Sequence, residues 1–168
     1  MSEPRAEVEP PAPHRRWLGV ALLLLFTAAL VAGHGWRWHR HRTTDLSAAY
    51  AELAQAVAHP AQAKTHALAA QDLLADAVGG VVLDAEAIVA LDIAERLPAH
   101  LGEVVPAPQP PLDADAVAAY ADHLLQAGRP AEAAQFLRRP ELAKLANGSV
   151  RTLQRVAERW AAACATHH

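Results

Sequence analysis

The 168 residues carry 15 Lys and Arg against 18 Asp and Glu, a formal net charge of -3 that excludes the global basic field of a nucleic-acid binder. A single cysteine, Cys164, excludes an intrachain disulfide framework and a cysteine-only zinc site. Abundant alanine and an aromatic content of only 5% favour close-packed helices over strands, which are enriched in β-branched and aromatic residues.

Residues 1–14 hold Pro4, Pro10, Pro11 and Pro13 among acidic and small residues, too little apolar area to offset the entropy of ordering, so a disordered tail is expected. Residues 15–42 form the next segment. From Trp17 to Trp36 the chain runs without a formal charge, and twenty residues of helix match a hydrocarbon core of roughly 30 Å. Leu22, Leu23, Leu24, Leu25 and Phe26 would lie in that core. Trp17 at one end and Trp36 and Trp38 at the other would sit at headgroup level as membrane anchors. Arg5, Arg15 and Arg16 before the span balance Arg37, Arg40 and Arg42 after it, so the positive-inside rule does not set the orientation. A short N-terminal arm on the cytoplasmic side would put the remainder in the periplasm. A cleaved signal ending near Val31, Ala32 and Gly33 is the rival reading of the same stretch.

Beyond the span, Thr43, Thr44 or Asp45 is expected to cap a helix carrying Leu46, Tyr50, Leu53 and Val57 and stopping before Pro60. A second helix from Pro60 to about Val78 would leave through Gly79 and Gly80, making an antiparallel hairpin with the first. Asp84 would cap a third, which presents Ile88, Leu91 and Ile93 and ends near Pro98. These elements occupy region 43–101. Four prolines within 102–112 (Pro106, Pro108, Pro110 and Pro111) predict an extended spacer between two helical halves. In region 113–168, Asp113 or Asp115 would start a helix ended by Gly128, Pro130 would open a short one ending by Pro140, and Ser149 to Ala163 would form the last, with Val150, Leu153, Val156 and Trp160 on one stripe.

The stretch Ala116 to Arg139, AVAAYADHLLQAGRPAEAAQFLRR, resembles one tetratricopeptide repeat, the two-helix unit of about 34 residues. In that resemblance Tyr120, Ala121, Leu124, Gly128, Ala133 and Leu137 are the hairpin-packing positions: small residues at the close approach, glycine in the turn, leucines in the groove. A looser second copy lies near Ala48 to Leu68, where Tyr50 and Pro60 align with Tyr120 and Pro130 at a constant offset. Val117 and Pro140 depart from the family pattern. What the resemblance implies is a protein-binding module without catalysis.

Leu142 to Arg155 looks like the helix-turn-helix of AraC-type regulators, with Ser149 as cap and Arg151, Thr152, Gln154 and Arg155 as residue types that reach phosphates and base edges. Asn147 and Gly148 depart from that pattern, and a solvated basic face packed through Leu153 and Val156 explains the same residues. His34, His39 and His41 sit among arginines, which oppose a second cation, so a headgroup-contacting segment is read there rather than a metal site. No phosphate loop, dinucleotide fingerprint, nucleophile elbow or zinc-protease motif occurs. The expectation is an all-α chain, a single N-terminal transmembrane helix followed by a small helical-hairpin, tetratricopeptide-like domain. Its expected role is a membrane-anchored adaptor or assembly factor for a bacterial envelope complex, not an enzyme, in the inner membrane with a periplasmic C-terminal domain. Membrane lipid and one or more proteins are the expected partners; no cofactor, no metal and no nucleic acid are. Two alternatives stay open: a membrane-tethered DNA-binding regulator, and a small structural subunit of a membrane complex.

Overall fold

The computed structural model describes residues 13–78 and 84–166, and every regular element among them is helical. Six α-helices follow in order: α1 (Pro13–Ala58), α2 (Ala63–Val78), α3 (Ala85–His100), α4 (Ala114–Gln126), α5 (Pro130–Leu137) and α6 (Gly148–Thr166). Residues up to His41 form one unit and Arg42–His168 a second. The tail prolines Pro4, Pro10 and Pro11, the glycines Gly79 and Gly80, and the side chains of Trp38, His39 and His41 lie outside the described residues. Pro13, assigned to the tail from sequence, is the first residue of α1.

No break occurs at Thr43, Thr44 or Asp45, where a new helix was expected; α1 runs through them to Ala58. Between Trp36 and Ala58 there is neither glycine nor proline. Threonine and aspartate disfavour a helix by only about 0.5 kcal/mol each, less than the burial of Leu46, Tyr50 and Leu53 returns. Pro60 stops α1, having no N–H to donate and disfavouring helical backbone at His59, which adopts φ -125°. One 3₁₀ turn, Pro60–Gln62, precedes α2.

Asp84 caps α3 by accepting from the Glu86 N–H at 3.1 Å. Pro98 does not end the helix, which continues to His100. The carbonyl four residues earlier, at Ala94, loses its usual donor to the proline, and the Gln71 Nε2 of α2 donates to it at 3.1 Å. Asp113 caps α4 through the Ala116 N–H at 2.7 Å. Pro130 opens α5 after a turn made by Gly128, whose φ of +74° is left-handed. A 3₁₀ stretch, Pro140–Leu145, leads into α6.

Leu53, Leu74, Ile93, Leu97, Leu124 and Trp160 are the bulky centre of the second unit, and close to half of its buried apolar residues are alanines. α2 packs along α3, α4 along α5 and α5 along α6, while α6 also returns onto α4 and α3. An array in which each hairpin touches only its neighbours would leave α6 away from α3, so the unit closes on itself as a bundle. Residues 102–112 are irregular, but they are a strap rather than a spacer. The Gly102 N–H donates to the Ala127 carbonyl at 3.1 Å, and Val105 and Leu112 pack on the core. Apolar side chains on either side of the proline run supply that attachment.

Candidate interaction groove

On α3 the residues turned to the core are Ala87, Ala90, Ile93, Ala94 and Leu97. All five recur at three- or four-residue spacing, and alanines dominate because small side chains let neighbouring helices approach closely. Ile88, expected on the buried stripe, is turned out instead, 41% exposed. On α4 the core stripe is Val117, Ala121, Leu124 and Leu125, which turns Ala118, Ala119 and Asp122 to the other side. α6 begins beside them. Its cap is Asn147, whose Oδ1 accepts from the Val150 N–H at 2.9 Å, not Ser149, which is exposed within the first turn.

These three surfaces enclose an open groove of about 770 Å³. Ile88, Val89 and Leu153 give it apolar walls, and Ala85, Ala118, Ala119 and Gly148 keep part of it narrow in side-chain bulk. Asp92 of α3 and Asp122 of α4 both line it. Asp92 is paired with Arg96 at 2.7 Å. Asp122 accepts from the Gln126 Nε2 at 2.7 Å, and burial, then the neighbouring Asp92 charge, push its carboxyl above the usual carboxylate range.

The tetratricopeptide-like positions fall in one hairpin. Ala121, Leu124, Ala133 and Leu137 are buried. Tyr120 is half-buried and meets Phe136 edge to face at 4.7 Å. Gly128 makes the turn, and a Cβ there would lie 2.5 Å from Leu101 Cδ1 and 3.1 Å from Val57 Cγ2. The aligned pairs sit differently: Tyr50 is buried where Tyr120 is half-exposed, and Pro60 is exposed where Pro130 is buried.

Of the residues read as able to contact DNA, Thr152 is buried and donates to the Gly148 carbonyl at 2.9 Å, and Gln154 donates to Glu158 at 3.2 Å. Arg138 pairs with the same Glu158 at 2.9 Å and Arg159 with Glu86 at 3.2 Å; Arg151 and Arg155 are exposed. Glu86 is the polar centre that sequence reading missed. Only 6% exposed, it accepts from the Tyr50 hydroxyl at 3.0 Å and faces the Arg159 guanidinium, linking α1, α3 and α6. Burial, then the Glu86 charge, push the Tyr50 phenol far above its ordinary value. Placed in the first turn of an amphipathic helix, Glu86 reads locally as a dipole-favoured surface acid, and its partners are far away in the chain.

In the first unit, Trp17–Trp36 is long and apolar enough to cross a membrane and none of it is buried. Leu22 to Phe26 are all exposed, as are Trp17 at 74% and Trp36 at 72%. Among the described residues no group of three His, Cys, Asp or Glu is placed to hold a metal ion. No family model, curated protein or solved structure matches the chain.

Proposed function

We propose that this chain is a membrane-anchored adaptor. Trp17–Trp36 crosses the inner membrane of a bacterial envelope once, and the unit Arg42–His168 holds a protein partner on its periplasmic side, as an assembly factor would. The observation that carries this reading is the groove between α3, α4 and α6. It leaves Ile88 41% exposed beside alanines and Leu153, so that an apolar side chain lines an open groove, whereas the unit's other exposed large apolar side chains, Leu68 and Val104, lie outside it. The fully exposed apolar segment supports the anchor, because water would oppose such a surface and a bilayer would not. The α4–α5 hairpin, with its left-handed glycine turn and buried alanines, supports a tetratricopeptide-like ancestry for that part. The burial of Thr152 and the pairing of Gln154 and Arg159 favour a packing role for α6 over base reading.

The test has two parts. A compartment-sensitive reporter fused after Thr166 is expected to give the extracytoplasmic signal, with the chain in the membrane fraction. A photo-crosslinking residue at Ile88 is expected to give a discrete adduct in cells, and one at Leu68, an equally exposed apolar position on α2, is not. A cytoplasmic reporter signal would reverse the orientation; absence of any adduct specific to Ile88 would remove the adaptor reading.

A further inference from the structure

We infer that the groove recognises a cationic amphipathic helix, a segment that lays an apolar stripe along Ile88, Val89 and Leu153 and brings a lysine or arginine to Asp122. The inference rests on the adaptor reading and names the chemistry of the partner.

The shape argues for a helix. Ala85, Ala118, Ala119 and Gly148 bring little side-chain bulk to the groove walls, and small residues are what allow a second helix backbone to approach closely. A helix in such a groove anchors through residues at i, i+3, i+4 and i+7, and a volume of about 770 Å³ is enough to take several such side chains.

The charge argues for a cation. Two carboxylates, Asp92 and Asp122, line the groove, and the guanidinium of Arg96 is already engaged with Asp92. Asp122 receives one hydrogen bond, from the neutral Gln126 side chain, and has acceptor capacity to spare. His123, on the same helix, is exposed and does not line the groove. Burial and the Asp92 charge outweigh the nearby Arg96 and His123 cations at Asp122, and a half-desolvated carboxylate of this kind would gain more from a docked ammonium or guanidinium than a surface acid would. The same arrangement disfavours an acidic segment, since its carboxylate would enter beside the half-buried Asp122 while the Arg96 guanidinium is held by Asp92. A purely apolar partner would cover Asp122 without pairing it, at a desolvation cost.

The experiment uses the full chain in phosphatidylcholine nanodiscs, with empty nanodiscs subtracted. Two labelled synthetic helical peptides of equal length serve as probes. Both carry leucine at i, i+3, i+4 and i+7; one has lysine beside the stripe and the other glutamine. Fluorescence anisotropy is expected to show the lysine peptide binding about tenfold tighter or more. Asp122→Asn, checked for native circular dichroism, should remove that preference, and Ile88→Asp should weaken both peptides. Equal binding of the two peptides, or a preference that survives Asp122→Asn, overturns the cationic partner and leaves the adaptor reading standing. No saturable binding of either peptide, unaffected by Ile88→Asp, overturns both. A free chain that is dimeric and is dissociated by Ile88→Asp overturns the inference in favour of a second copy as the occupant.

Discussion

At Gly128 two separate penalties await any side chain. The left-handed φ of +74° costs an L-residue about 1–2 kcal/mol, and the space a Cβ would take is held by Leu101 and Val57. Gly102 has a similar φ of +82° but nothing within 4 Å of its Cβ position. Gly128→Ala should therefore lower stability by about 2–3 kcal/mol and Gly102→Ala by about 1 kcal/mol, read from urea midpoints. Equal losses would mean that the contacts at Gly128 relax freely. Asp122 makes a pH prediction. Its carboxyl lies higher in the folded state than in the unfolded chain, so the folded state holds the proton more tightly. The associated stability is complete below the unfolded value, and it is lost as pH rises from there through the raised folded value. Asp122→Asn keeps an acceptor for Gln126 and removes the charge, so the variant should lose less stability than the parent over that rise. Thermal unfolding at a series of pH values, showing the parent falling away from the variant as pH increases, is the expected result; parallel curves would contradict it.

Among the elements, proline and glycine made the boundaries readable: Pro60, Asp84, Asp113, Gly128 and Pro130 mark helix ends in the structure as in the sequence. Three features were not readable. Ile88 looked like a core residue because large apolar groups usually form the buried stripe, yet in this alanine-rich chain Ala87, Ala90 and Ala94 provide it. The survival of α3 past Pro98 depends on Gln71, and the burial of Glu86 depends on Tyr50 and Arg159. The last two outcomes are decided by partners distant in the chain, which no local pattern encodes. Tyr50 and Arg159 both address the same oxygen, Oε1 of Glu86, so their removals should not add. Tyr50→Phe is expected to cost about 1–2 kcal/mol. Combined with Arg159→Ala it should cost more than the sum by about 1 kcal/mol, because the second loss leaves a buried carboxylate with neither partner. A double-mutant cycle by denaturant unfolding measures the coupling, and strict additivity would show that α1, α3 and α6 are held together by apolar packing alone.

For the whole molecule, the division between the two units falls at His41 and Arg42, whereas the helix that crosses it does not end until Ala58. Leu46, Ala49, Tyr50 and Leu53 belong to the core of the second unit although they lie on the helix that contains the apolar span. A fragment comprising 42–168 should thus unfold cooperatively, and one comprising 60–168 should not, having lost those four side chains at a cost of several kcal/mol. Calorimetry distinguishes the two; a cooperative transition in the shorter fragment would show that the end of α1 is dispensable. The exposed apolar helical segment, the helical class and most element limits were legible in sequence because hydropathy and backbone restriction act locally. The groove was not, since it is formed by residues that three helices leave over after packing.

The buried alanines set the direction in which this molecule can change. A core of leucines fails when a side chain shrinks and leaves a hole, and it offers many routes to that failure. Where this interior is lined by alanine there is almost nothing left to remove, so mutations there fail by crowding, through single substitutions to valine, threonine or glutamate at sites such as Ala90, Ala121 or Ala133. At those positions deleterious changes should therefore be gains of volume, whereas at Leu53, Leu97 or Trp160 they remain losses.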